Sequence, residues 1–162
     1  MLDAVLDAVV AALRETGVYA VRQFPAYEAE RDRLTVCVGL KRNKLVSAGA
    51  GDYMGEKAEG GVVSEIYGFR MAPVIALDIY SPEDGGNGAE GCLAGAASVS
   101  AAFRQLPSGI KARALSCGET KFDGTTGMFH MPAELSCDAF LTREMNAQTG
   151  EFYDFVLKGV LG

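Results

Sequence analysis

The chain has 162 residues, a net charge of −6, 49% apolar and 22% charged residues, 20 Gly, one His and no Trp. That length predicts one domain over 1–162 with enough apolar material for a core, and the composition excludes a disordered chain. No apolar run reaches the 18 or more residues of a membrane span, so no membrane partner is expected. An acidic chain with dispersed Lys and Arg does not predict specific nucleic-acid binding, which needs a basic face.

Leu2, Val5, Leu6, Val9, Val10 and Leu13 recur at helical spacing and predict an amphipathic helix. Asp3 and Asp7 suit its N-terminal end, and Gly17 its terminator. The start Met1-Leu2-Asp3-Ala4 has no basic segment of the kind that opens a secretory leader, so none is expected. Val18–Phe24 reads as a short strand closed by Pro25. Leu34, Val36, Val38 and Leu40 alternate with Thr35, Cys37 and Gly39, which predicts a half-buried strand. Lys41-Arg42-Asn43-Lys44, the densest basic stretch, reads as a solvated turn before a partner strand over Leu45–Ala48.

Residues 49–61 hold five glycines and read as a flexible excursion or a hairpin tip. From Val62 to Tyr80 the pattern is strand, interrupted at Pro73. A glycine-rich loop over Ser81–Gly88 leads into a second helix, about Ala89–Leu106, ended by Pro107. Leu93, Ala97 and Phe103 are assigned to its sheet-facing side, with Gly91, Gly95, Ser98 and Ala102 as a second stripe of small residues. Ile110–Cys117 reads as a strand, Asp123-Gly124 as a turn, and Met128–Met131 with Leu135–Thr142 as a long broken strand. Asn146–Gly150 forms a turn and Glu151–Leu161 a last strand. Runs of strands divided by single helices predict an α+β fold: a mostly antiparallel sheet, an N-terminal amphipathic helix and a second helix packed on the sheet.

The chemistry-bearing motifs are few. Gly86-Asn87-Gly88-Ala89-Glu90-Gly91 matches the GxGxxG of dinucleotide sites and lies between a strand and a helix. Glu83, Asp84 and Glu90 would surround a pyrophosphate with carboxylates, which opposes that reading. His130 has no sequence-evident nucleophile or carboxylate partner. Cys37, Cys92, Cys117 and Cys137 lack the paired spacing of a zinc site and read as reduced, mostly buried residues, as in a protein made in the cytosol. No catalytic, cofactor-binding or metal-binding residue is expected, and no cofactor.

Two segments read instead as contact surfaces. Tyr53, Met54, Glu56 and Lys57 lie on the glycine-rich excursion, and Tyr and Met are enriched where proteins meet. Phe152, Tyr153 and Phe155 belong to a terminal run that is apolar on both faces, suited to a central strand or to cover by a neighbouring subunit.

In this layout the chain resembles the tail terminator (tail-completion) proteins of long-tailed bacteriophages and related contractile particles. The matching pieces are the Leu2–Leu13 helix, the Leu34–Ala48 hairpin with its 49–61 excursion, Val74–Tyr80, the Leu93–Leu106 helix and the Leu135–Leu161 strands. The resemblance implies a non-enzymatic assembly subunit. It would form a homo-oligomeric ring, a hexamer, on the head-proximal end of the tail tube, stop tube polymerisation and dock the neck. Its partners would be copies of itself and tail-tube, sheath or neck proteins, with DNA passing through the ring. Its place would be the virion tail, assembled in the bacterial cytoplasm. The alternatives are another neck or tail-tube subunit, or a small nucleotide- or ligand-binding domain or enzyme using the Gly85–Gly91 loop.

Overall fold

The structure is a computed structural model that describes residues 2–22, 32–83, 87–146 and 156–158. Helix α1 (Leu2–Glu15) buries Val5, Leu6, Val9, Val10, Ala12 and Leu13. A helix of 14 residues is marginal alone in water. Each large aliphatic side chain buried here adds about 1.5–3 kcal/mol, so tertiary packing holds the helix. Gly17 adopts φ +83°, the left-handed terminator conformation that the sequence anticipates. The returning chain forms β1 (Tyr19–Arg22). The Arg22 guanidinium clamps α1 by donating to Asp7 at 2.7 Å and Asp3 at 2.9 Å.

Among the described residues nine further strands follow: β2 (Thr35–Arg42), β3 (Leu45–Ser47), β4 (Tyr53–Glu59), β5 (Val62–Met71), β6 (Val74–Pro82), β7 (Ile110–Cys117), β8 (Lys121–Asp123), β9 (Met128–Asn146) and β10 (Val156–Lys158). Helix α2 (Gly88–Ala102) stands between β6 and β7 and runs into a single 3-10 turn at Phe103–Gln105. The strands join in one sheet of order β1-β2-β6-β9-β5-β3, with β4 beside β5 and β7, β8 and β10 beside β9. Its described pairings are antiparallel except β1 with β2. The fold is α+β, with both helices contributing to one core. That core joins Val5, Val9 and Leu13 of α1 and Cys92, Val99 and Ala102 of α2 to Val36, Val38, Ile75, Leu77, Ile79 and Leu135 of the sheet.

Three local expectations change. Thr35–Gly39 is buried on both faces, where alternation suggested one. Strand β9 is continuous through Pro132, where the sequence read as broken between Met131 and Leu135. Its neighbour β7 ends opposite Ala133 and β8 begins opposite His130. The missing N–H therefore faces the connection between those strands, and the Pro132 carbonyl still accepts from Gly118 N at 2.7 Å.

The third change concerns α2. Leu93 is 63% exposed and Ala97 is exposed, while Gly91, Cys92, Gly95, Val99 and Ala102 are buried. The small stripe faces the sheet because close approach to Ile79 and Leu34 leaves no room for a large side chain at position 95. Phe103 does pack against the core, as expected.

Candidate functional site

Residues 49–61 form a hairpin arm. Glu59 pairs with Val62 across Gly60-Gly61, both with positive φ (60° and 83°), the geometry of a tight two-residue turn. Strand β5 carries this arm, pairing with β9 from Ser64 to Met71 on one side and successively with β4 and β3 on the other. Among the described residues no strand pairs with the other side of β4. Its outward backbone N–H and C=O groups therefore form a free edge.

The structure brings Tyr53, Met54, Glu56 and Lys57 together on that edge strand. A bulge places one extra residue, Met54, between Tyr53 opposite Tyr67 and Gly55 opposite Ile66. The bulge shifts the alternation, so Tyr53 and Glu56 share a face with Tyr67 and Glu65 while Lys57 points the other way. On the first face the Tyr53 and Tyr67 rings meet edge to face at 5.6 Å. The Arg143 guanidinium lies 5.7 Å from the Tyr67 ring centre. Tyr67 donates its hydroxyl to Glu65 at 2.8 Å. That hydrogen bond holds the Tyr67 phenol above its ordinary pKa, and desolvation followed by Glu56 and Glu65 does the same for Tyr53.

On the opposite face Lys57 lies 2.7 Å from Glu59 and 3.7 Å from Glu144. The hydrogen bond from Lys57 lowers the Glu59 pKa, and the same bond raises that of Lys57. Met54 packs on Gly68, whose missing side chain leaves space for the Met54 sulfur and for the Leu141 carbonyl. Sequence reading missed three members of this surface. Val62 and Val63, at the turn end of the hairpin, are 43% and 42% exposed, and Tyr67 completes the aromatic pair with Tyr53. The Gly60-Gly61 pair followed directly by Val62 and Val63 was the available signal for the valines. Phe152, Tyr153 and Phe155 lie outside the described residues, although β10 just beyond them pairs with Phe140–Thr142 of β9.

A second polar group sits on the sheet face opposite the helices. His130 Nε2 is 2.8 Å from Asp78 Oδ1, and the Tyr80 ring stacks on His130 at 4.7 Å and 23°. Burial, aided by Asp78, pushes the Tyr80 phenol up to about 12. Cys37 pairs in register with Asp78, and burial together with that carboxylate pushes its thiol up to about 11. A thiol held protonated at neutral pH is the reverse of an activated nucleophile. The group thus satisfies partly buried polar atoms on strands β6 and β9.

In the GxGxxG segment, Asn87 and Gly88 have positive φ and Glu90 lies in the first turn of α2, its N–H bonded to the Asn87 carbonyl. Among the described residues no three His, Cys, Asp or Glu side chains are grouped to hold a metal ion. No helix there is long and apolar enough to cross a membrane. Compared with known protein families and with curated proteins, the chain matches none.

Proposed function

We propose that the chain is a structural ring subunit of the tail-terminator kind, which caps a phage or phage-like tail tube and presents a surface to the neck. The observation that carries this reading is the free edge of β4 on an arm that also exposes Tyr53, Val62 and Val63. An unpaired edge with apolar side chains invites pairing with another chain unless it is covered. A head-to-tail contact of that kind, repeated around an axis, closes into a ring. Negative-stain imaging of the purified protein, alone and with tail-tube protein, tests the reading. Six-fold rings, or caps at tube ends, are the expected result. A chain that stays monomeric in both samples and leaves tube length unchanged would overturn it.

A further inference from the structure

The basic turn Lys41–Lys44 has a definite setting that the ring reading does not use. Arg42, Asn43 and Lys44 line a cleft with Pro73, Arg113 and Asp138. The turn is fixed there: Ala72 N donates to the Lys44 carbonyl at 2.8 Å, and Cys137 N to the Pro73 carbonyl at 3.0 Å. Arg113 is held by Asp138 through Nε at 2.7 Å. Arg42 and Lys44 are exposed and bring the cleft a surplus of positive charge over that single carboxylate. Asn43 Oδ1 is buried without a hydrogen-bond partner among the described residues.

The opposite charge gathers at the far end of the same strand. Around the outer half of the β4–β5 hairpin stand Glu56, Glu59, Glu65 and Glu144 against Lys57 and Arg143, which leaves a surplus of negative charge. Strand β5 separates the two patches, with its Met71 end at the cleft and its Val62 end at the hairpin turn. Ten strand residues span about 30 Å, well beyond the Debye length of about 8 Å at physiological salt, so the patches cannot meet within one chain.

We infer that the acidic β4–β5 hairpin of one copy docks into the Arg42–Lys44–Arg113 cleft of the next copy. Complementary patches at opposite ends of one rigid strand make a heterologous contact, each copy giving its hairpin and receiving another. The free β4 edge brings its outward backbone N–H and C=O groups to the contact. The inference rests on the ring reading and names its two faces.

Charge reversal tests it in the full chain. One variant carries Arg42→Glu with Lys44→Glu, and a second carries Glu56→Lys with Glu59→Lys; all four side chains are exposed. Thermal melts and circular dichroism establish that each is folded. Native mass spectrometry and sedimentation at about 50 mM and about 500 mM salt read assembly, which for a charged contact weakens as salt rises. Each variant alone is expected to need at least about tenfold more protein to assemble, roughly 1.4 kcal/mol per contact. Mixed in equal amounts they are expected to form rings with alternating copies, since each reversed cleft then meets a reversed hairpin. The chain carrying all four reversals is expected to assemble alone. Rings that survive either reversal, or a mixture and a fourfold variant that fail to recover, would overturn the pairing while the ring reading stands. A wild-type chain that is monomeric at every concentration and salt, with tail-tube protein as well as alone, would overturn both.

Discussion

Gly95 of α2 rests on Ile79 of β6 so closely that a Cβ on the glycine would stand 2.7 Å from the Ile79 Cγ2 and 3.1 Å from Leu34 Cδ1. This contact sets the distance between helix and sheet. Gly95→Ala gains helix propensity of about 1 kcal/mol, but overpacking a fixed interface costs about 1–3 kcal/mol. The net expectation is destabilisation, and Gly95→Leu should be worse. Leu93→Ala, on the exposed side, should stay within about 0.5 kcal/mol of the parent. Urea midpoints of the three variants check this. A stabilised Gly95→Ala would mean that α2 is not in close contact with the sheet.

The same contact explains why some of the fold was legible and some was not. Helix α1 announces itself because Leu and Val recur on one face opposite Asp and Glu. Helix α2 has almost no contrast between its sides, since Gly, Ala, Ser and Cys differ little in hydropathy. Leu93 therefore looked like the buried residue, whereas the size of its neighbours decided the packing. Alternation exposed β2, β6 and the second half of β9, but it cannot reveal that Thr35–Gly39 is covered on both faces. Pro132 hid the continuity of β9, because only the sheet shows that the missing donor faces a gap between partners. The four β4 residues were recognisable as surface from Tyr and Met among glycines. Their mutual arrangement was not, because it depends on the bulge at Met54. The link between the Arg42–Lys44 turn and the hairpin acids is a matter of where β5 puts its ends.

The thiols should divide sharply by reactivity. Cys37, Cys92 and Cys137 are buried, and burial raises all three thiol pKa values. Cys92 lies 3.5 Å from the Phe129 carbonyl oxygen and 3.8 Å from that of Ile79, within reach of its S–H. Only Cys117 is exposed. A thiol reagent at pH 8 should label one cysteine fast and the other three only on unfolding. Mass analysis after brief labelling should find the modification at Cys117, and early labelling at Cys37 or Cys137 would contradict the burial.

Alkaline pH should weaken the fold through the same groups. Cys37 and Cys137 keep their protons to about pH 11 when folded, against an ordinary thiol value of 9.0. Below pH 9 both states hold the protons and the stability is fully present. As pH rises from 9 to about 11 the unfolded chain releases them first, so stability falls through that window. Tyr80 extends the decline, since its phenol titrates near 12 instead of 10.0. Urea midpoints at intervals across this range should drop, and the Cys37→Ala, Cys137→Ala double variant should show a shallower decline. An equal slope in both proteins would remove the thiols as its cause.

Acid should loosen α1 from β1. Hydrogen bonding and charge from Arg22 hold the Asp3 carboxyl below its ordinary value of 3.8. The folded state thus stays ionised at a pH where the unfolded chain has begun to take up a proton. This contribution is present above about pH 4 and is lost as pH falls through the lowered value. Asp3→Asn should reduce the acid sensitivity of the α1 amides in hydrogen exchange. An unchanged acid profile would show that Asp3 does not anchor the helix.

Hydrogen exchange along β4 tests the central claim most directly. Strand β5 occupies one edge of β4, so the amides pointing the other way exchange freely in an isolated chain. Rates for Met54–Glu59 are measured in dilute monomer and in assembled rings of the same protein. The account predicts that these outward amides slow by at least about tenfold on assembly while those of β6 and β9 keep their rates. Rings in which the outward β4 amides exchange as fast as in the monomer would contradict it.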